Sequence, residues 1–221
     1  MARMVRVLIP NHPHHVTQRG NRRQKTFFCE DDYLYYLDLM SESCHQIGTE
    51  VWAYCLMPNH VHLVMVPRDE DGLRAALGEA HRRYTRHINF QKGWRGHLWQ
   101  ERFHSFTMDE KHLISTVRYI ERNPAAAKLC VEPQDWAWSS AQAHLSGVDD
   151  ILVQVKPMLY LVGDWQEYLA GEETMNSVDA IKQHSRTGRP LGSQALIDKL
   201  EELTGKDLAP KKPGRKTVDG K

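Results

Sequence analysis

Two histidines separated by a single residue are the side chains of this sequence with the clearest chemical potential. His60 and His62 follow a Pro58-Asn59 turn in an apolar, β-branched run that predicts a strand. Alternate side chains of a strand share a face, so both imidazoles point the same way, about 7 Å apart. Burying them is costly unless they are used, and neutral imidazole is a common ligand of divalent metals. The alternative is a pair of hydrogen-bonded histidines near a sheet edge.

A tyrosine on the polar side of a later helix is the second candidate. At about 100° per residue, Tyr119 lies away from the apolar stripe of this helix and shares its polar side with His112 and Asn123. Asn123 is one turn further on, about 6 Å along the axis and nearly in line with Tyr119. A tyrosine in this position is not needed to fill a core, whereas Asn123 could equally be a C-terminal cap.

The ends of that helix are predicted from local signals. Thr107 and Glu110 have the spacing of a capping box. Pro124 disfavours further helix, so we expect Asn123 at the helix end.

The elements that would position these side chains follow in the order β-α-β-β-α-β-α. The predicted strands cover residues 14–19, 50–56, 60–66 and 98–107, and the predicted helices cover residues 30–47, 72–90 and 107–123. This order predicts an α+β, ferredoxin-like split β-α-β fold, mainly an antiparallel sheet with helices packed on one face. A C-terminal helical and basic extension follows. Its last helix is predicted to begin after Ser193 and to end at Gly205.

Charge is unevenly distributed along the 221 residues, although the net charge is only +1. Residues 1–130 carry 18 Lys and Arg against 14 Asp and Glu, residues 131–175 carry 1 against 8, and residues 176–221 carry 10 against 6. We predict a catalytic domain at 1–147, an acidic connecting segment at 148–179, and a basic accessory DNA-binding segment with a tail at 180–221. A basic body suits a polyanionic partner, although ordinary surface charge is the alternative.

The sequence gives no indication of membrane insertion or secretion. No apolar run is long enough to span a bilayer, and residues 1–10 lack a secretory signal. The four cysteines form no C-x-x-C pair, which argues against a zinc ribbon. We expect a reduced, cytoplasmic protein.

Two motifs together resemble a known family. His60-Val61-His62 with Tyr119-Ile120-Glu121-Arg122-Asn123-Pro124 resembles the single-tyrosine HUH transposases, and more closely the REP-associated tyrosine transposases. Three further segments agree with this resemblance, namely residues 15–21, 57–62 and 186–192.

The resemblance implies an enzyme that cleaves and rejoins single-stranded, hairpin-bearing DNA such as REP elements. His60, His62 and Asn123 are then expected to bind a divalent metal, Mg²⁺ or Mn²⁺. Tyr119 is expected to attack the scissile phosphate and to form a covalent 5′-phosphotyrosine intermediate. Relatives work as monomers or as dimers that exchange the tyrosine helix, and the sequence does not decide between these.

Cationic side chains are the candidate DNA contacts, with solvated surface positions as the alternative. They are Arg19, Arg22, Arg23, Arg82, Arg83, Arg86, Arg186 and Arg189. His112, on the same helix side as Tyr119, is a candidate proton acceptor, as is water. Two other functions are compatible with the sequence. One is a non-catalytic nucleic-acid-binding regulator. The other is a metallohydrolase that activates water, a function that gives Tyr119 no role.

Overall fold

The computed structural model describes residues 7–171 and 174–208 of the chain. Within those ranges the predicted order β-α-β-β-α-β-α is found, followed by further helices. The strands are β1 (His14–Arg19), β2 (Glu50–Met57), β3 (His60–Val66) and β4 (His104–Thr107). The helices are α1 (Glu30–Ile47), α2 (Gly72–Lys92), α3 (Glu110–Ala126), α4 (Ala141–Ser146), α5 (Lys156–Val162), α6 (Trp165–Ala170), α7 (Met175–Thr187) and α8 (Gln194–Thr204). Each helix in these ranges is too short or too polar to cross a lipid bilayer.

The strands form one antiparallel sheet in the order β2-β3-β1-β4. The first and third strands are central, and their register places Thr17 opposite His62 and Arg19 opposite His60. Residues directly opposite in an antiparallel pair share a face, so these four side chains lie on one side of the sheet. The predicted α+β fold is confirmed.

Helices cover both faces of the sheet, so the prediction that they pack on one face was wrong. α1 and α2 pack against the face that carries Leu63 and Met65. α3 packs against the opposite face, which carries Cys55 and Val64. Both sets of alternate side chains in β2 and β3 are buried, and strands of this kind require cover on both sides.

β4 begins at His104, so the strand predicted over residues 98–107 was too long. The preceding segment still follows β1, since the Gln100 N–H donates to the Arg19 carbonyl over 2.8 Å. Glu101, however, has a φ of 47°, a left-handed conformation that an extended strand does not contain. The chain turns there and forms one wall of the cleft described below.

α3 begins at an aspartate cap, and the predicted capping box was wrong. The Asp109 carboxylate accepts the backbone N–H of His112 at 3.0 Å. Thr107 cannot cap the helix because it is still paired with His14 in the sheet.

The end of α3 also differs from the prediction, because the helix continues through Pro124 to Ala126. A proline removes one N–H donor, and here the next turn is closed by the Ala127 N–H, which donates to the Asn123 carbonyl at 2.9 Å. Asn123 therefore lies before the last residues of the helix rather than at its end.

The C-terminal helices pack onto α3 and the sheet. Trp165 and Tyr168 of α6 join the core beneath α3, and α7 lies against β1, β4 and α3. The predicted boundary after residue 179 falls within α7. The predicted cap at Ser193 and the end of α8 at Gly205 are confirmed. The basic tail at 211–216 and the first six residues lie outside the described residues.

Candidate active site

His60 and His62 lie at the turn end of β3, on the sheet face that α3 covers. Their ring centroids are 4.9 Å apart and their planes meet at 76°. His62 is only 6% exposed, and His60 is partly buried. The prediction that the two imidazoles share a face is confirmed.

Both imidazoles are neutral at physiological pH. Burial, with a contribution from the nearby Arg19 cation, lowers the pKa of His60 to about 4. Burial also lowers the pKa of His62 well below its ordinary value, assisted by His60, His15 and Arg19. Desolvation and a neighbouring cation both disfavour the imidazolium form. Each ring therefore keeps a lone pair, which is the form that binds metals.

α3 brings Tyr119 and Asn123 to these histidines. The apolar stripe of the helix, including Val117 and Ile120, is buried against the sheet, which leaves the adjoining side at the edge of β3. The Tyr119 ring stands perpendicular to that of His62, with centroids 5.7 Å apart. The Asn123 amide nitrogen is 3.5 Å from Nε2 of His62. One chain thus brings together the four predicted catalytic and metal-binding residues.

A cleft of about 490 Å³ opens beside Tyr119 and the two histidines. Its walls come from β1, from residues 100–104 and from α7. The cationic side chains that line it are Arg19, Arg23, Lys182 and Arg186. Guanidinium and ammonium groups gathered in this way suit the phosphates of a nucleic acid strand.

The pKa of Arg19 depends on the other charges of the cleft. Partial loss of solvation and repulsion from Arg23 lower the pKa of the Arg19 guanidinium. A negative charge on Tyr119 raises the pKa of Arg19, and Arg186 lowers that pKa by a smaller amount. Arg19 nevertheless stays protonated in water, and it is the cation that interacts electrostatically with the tyrosine oxygen.

The arginines of α2 lie far from this cleft in the fold, because α2 covers the other face of the sheet. Arg82 binds Glu79, and Arg83 binds Glu42 of α1, both at 2.7 Å. Arg86 is exposed on the same helix. The structure does not bring these three predicted DNA contacts to Tyr119.

The remaining predicted residues also lie outside the cleft. Arg22 is exposed in the tight turn after β1, and Arg189 donates to the carbonyl of Leu208. His112 lies at the start of α3, where its Nδ1 is 2.6 Å from a carboxylate oxygen of Asp109. It is not among the residues that line the cleft beside Tyr119.

Several residues in or behind the cleft were not predicted from the sequence. Lys182 and Ser185 come from α7, and His15 of β1 lies 3.0 Å from His62. The signal for His15 was its alternation with Thr17 and Arg19, which places all three on the His62 face. No local signal identifies Lys182 or Ser185, because only the packing of α7 brings them to the cleft.

The donor set fits a hard or borderline divalent metal. Within residues 7–171 and 174–208, no group of three His, Cys, Asp or Glu side chains is arranged to hold a metal ion. The predicted set has two neutral imidazoles and one amide, and it would leave coordination positions open for phosphate oxygens. Oxygen ligands at those open positions suit Mg²⁺ and Mn²⁺.

Comparison with known proteins identifies the family. Residues 9–123 match the family described as Transposase IS200 like, which is more than half of the chain. The chain belongs to the IS200-like transposase family. The family predicted from the two motifs is thereby confirmed. The matched residues include His60, His62, Tyr119 and Asn123. α7, which supplies Lys182, Ser185 and Arg186 to the cleft, lies beyond the matched residues of this IS200-like transposase.

Two relatives are informative. A Haemophilus influenzae protein, assigned by its name to the REP-associated tyrosine transposases, is 28% identical over 110 residues. That alignment covers 45% of this chain and 62% of the relative's length. A solved REP-associated tyrosine transposase bound to a REP hairpin has a similar fold, with a TM-score of 0.58 and 21% identity. The similarity covers 79% of this chain and 99% of the solved one.

Proposed function

We propose that this IS200-like transposase cleaves and rejoins single-stranded DNA through a covalent bond between Tyr119 and a 5′-phosphate, with Mg²⁺ or Mn²⁺ as cofactor. The position of Tyr119 carries the proposal. Its ring is perpendicular to that of His62 at 5.7 Å, beside a cleft lined by cationic side chains. A tyrosine beside a cation-lined cleft supports attack of its hydroxyl on a phosphate held in that cleft.

The proposed substrate is single-stranded DNA that bears a hairpin, such as a REP element. A relative of the same fold is bound to a REP hairpin. In this chain, Arg19, Arg23 and Arg186 line the cleft and are the DNA contacts that the geometry supports best. Such a substrate would place the protein at the nucleoid in the cytoplasm.

His60, His62 and Asn123 would hold the metal. Each imidazole would offer its Nε2 lone pair, and a half-turn of the Asn123 amide would present its oxygen in place of its nitrogen. The bound metal supplies a Lewis acid that offsets the negative charge developing on the scissile phosphate.

Tyr119 performs the covalent step. Its hydroxyl oxygen forms a bond to phosphorus, while the bond from phosphorus to the 3′ oxygen of the departing strand breaks. The phenolic proton passes to solvent, and the departing oxygen takes up a proton to become a 3′-OH. One phosphoester replaces another, so a 3′-OH can later attack the phosphotyrosine and rejoin strands without ATP.

Arg19 assists the loss of the phenolic proton. Its interaction with a negatively charged Tyr119 favours the oxygen's charged form. His112 is less suited to accept the proton, since it lies seven residues away on α3, about 10 Å along the axis, and contacts Asp109. We therefore assign the proton to water. One chain supplies all four central residues, which supports a site formed within a single subunit.

A denaturing gel tests this proposal. Single-stranded hairpin oligonucleotides from the DNA flanking the gene are incubated with the protein and Mn²⁺, and a protein–DNA adduct is the expected product. Tyr119→Phe and His62→Ala should each abolish the adduct, as should EDTA. Cleavage that survives Tyr119→Phe would instead indicate a water-activating hydrolase. Binding without cleavage across several flanking hairpins would indicate a non-catalytic DNA-binding protein.

A further inference from the structure

The hydrogen bonds of His60 determine which of its nitrogens carries the proton. Nδ1 of His60 is 2.6 Å from the side-chain oxygen of Asn59. The Asn59 amide nitrogen, in turn, donates to the Arg23 carbonyl at 3.2 Å, which keeps the oxygen directed at His60. An amide oxygen only accepts hydrogen bonds, so the proton lies on Nδ1 and the lone pair lies on Nε2.

The same reasoning applies to His62 through different partners. With the Asn123 amide in the orientation seen here, its nitrogen lies 3.5 Å from Nε2 of His62, and an amide nitrogen only donates, which favours an unprotonated Nε2. The proton of His62 therefore lies on Nδ1, which is 3.0 Å from Nε2 of His15. The planes of these two rings differ by 2° and their centroids are 5.2 Å apart, as expected for two rings joined edge to edge by an N–H···N bond.

His15 is itself held in the tautomer that accepts this bond. With Nε2 accepting from His62, the proton of a neutral His15 lies on Nδ1, and that nitrogen faces the Ser185 hydroxyl of α7 at 3.4 Å. The His15 ring is 1% exposed and packs against Phe106 with an angle of 79° between the ring planes. The chain of donors therefore runs from His62 to His15 and then to Ser185.

We propose that His15 and Asn59 are positioning residues that hold the proton of each ligand histidine on Nδ1, so that both Nε2 lone pairs face the metal position. This inference rests on the proposed metal site. A partner on the second imidazole nitrogen orients a metal-bound histidine and selects its tautomer, and losing that partner typically weakens metal binding by about 10- to 100-fold.

Ser185 extends this arrangement into the C-terminal part of the chain. It lies on α7, outside the residues that match the family, where it lines the cleft and its hydroxyl is 3.4 Å from Nδ1 of His15. α7 thus contributes to the metal position without supplying a ligand. The loss of the serine hydroxyl should have a smaller effect than the loss of His15, because the contact is long.

Two measurements on the full chain test the inference. The first is a long-range ¹H–¹⁵N correlation spectrum of the metal-free protein, with His60 and His62 assigned by mutation. Both should show a protonated Nδ1 and an unprotonated Nε2. A protonated Nε2 on His62 would overturn the inference, and this result does not depend on whether any His15 variant folds.

The second measurement is the affinity for Mn²⁺, followed by electron paramagnetic resonance. His15→Phe removes the acceptor and should weaken binding at least 10-fold, whereas His15→Gln keeps an acceptor and should stay within about 3-fold of the wild type. Ser185→Ala should weaken binding about 2- to 5-fold. His14→Phe is the matched control, because it replaces a buried β1 histidine on the opposite face of the sheet and should leave the affinity unchanged.

The outcomes separate this inference from the proposed function. A wild-type protein that binds no Mn²⁺ overturns the proposed metal site, while the His62 tautomer in the same sample still decides the inference. A folded His15→Phe variant that binds Mn²⁺ as tightly as the wild type overturns the inference and leaves the metal site standing.

Discussion

Tyr119 and Glu121 lie two residues apart on α3, yet the regions they face use similar residue types in opposite ways. Tyr119 faces an open cleft that is lined by two histidines and several cationic side chains. Glu121 is fully buried, and its carboxylate accepts hydrogen bonds from Ser140, His144 and Trp165.

The difference lies in where the polar groups direct their hydrogen bonds. Ser140 and His144 bind the same oxygen of Glu121, each at 2.6 Å, and Trp165 binds the other at 2.9 Å. A serine, a histidine and a glutamate would suggest a hydrolytic site if they were read from the sequence alone. Here their bonds are directed at one another in a closed interior, so they join α4 and α6 to α3. Catalysis requires side chains that are fixed by contacts with the protein on one side and accessible to a substrate on the other.

The sharpest test of this comparison removes the Tyr119 hydroxyl at the cleft and, in a second variant, the Tyr168 hydroxyl in the buried region. Tyr119→Phe should reduce the covalent DNA adduct at least about 1,000-fold, because no other group can form the phosphotyrosine bond, with little change in stability. Tyr168→Phe loses the hydroxyl that donates to the Ile114 carbonyl, and should cost about 1 kcal/mol of unfolding free energy while keeping the adduct. Adduct gels and urea denaturation measure the two effects. An equal loss of adduct in both variants would contradict the comparison.

The largest expected loss of stability is at Glu121. Glu121→Ala leaves Ser140, His144 and Trp165 without their shared acceptor, and should lower the unfolding free energy by about 3–5 kcal/mol. Urea denaturation measures this loss. Lys111→Ala, at an exposed position of the same helix, is the control and should stay within about 0.5 kcal/mol of the wild type. A cost below about 1 kcal/mol at Glu121 would show that the buried cluster is not structural.

The arginines provide the next test, because only some of them face the cleft. Arg19→Ala should weaken binding to a single-stranded hairpin about 10-fold and reduce the slope of log affinity against log salt by about 1, as expected for one lost phosphate contact. Arg83→Ala should change neither, since its guanidinium is bound to Glu42 on the other face of the sheet. Fluorescence anisotropy across a salt series measures both. An equal loss at Arg83 would extend the DNA-binding surface to α2.

The last test concerns the pH dependence of a buried histidine outside the cleft. His14 accepts the Ile9 N–H on Nε2 and donates through Nδ1 to the His12 carbonyl. Burial lowers its pKa from 6.5 to about 4. Its contribution to stability is therefore complete above pH 6.5 and decreases as the pH falls towards 4, by up to about 1.4 kcal/mol per pH unit.

Thermal denaturation between pH 7 and pH 4.5 checks this prediction against His14→Gln. The wild type should lose stability faster than the variant as the pH falls, because only the wild type must keep this ring unprotonated. A stability difference that stayed constant over this range would contradict the assignment.

Local patterns in the sequence predicted much of the fold and the centre of the site. The bounds of β1, α1 and β3 agree with the prediction, since alternation and helical periodicity depend on neighbouring residues. His60, His62, Tyr119 and Asn123 could be identified in the same way, with the resemblance to tyrosine transposases supplying their roles. Those roles, like the predicted domain boundaries, remain predictions.

Errors arose where distant residues compete with a local signal. Thr107 has the composition of a helix cap, but its pairing with His14 keeps it in the sheet. Pro124 predicts a helix end, but the following turn is closed by other hydrogen bonds of α3. The helices were predicted on one face because the order of elements does not show that both faces of the central strands are apolar.

The sequence by itself determined that His60 and His62 share a strand face and that Tyr119 and Asn123 share a helix side, because a strand and a helix place their own residues by a fixed period. Only the tertiary structure decided which other groups surround them. Arg19 and Arg186 meet at the cleft while Arg83 lies across the sheet, and His15 joins His62 to Ser185 of α7. These contacts join residues up to 170 positions apart in the chain. They depend on how the helices pack against each face of the sheet, which no local period encodes.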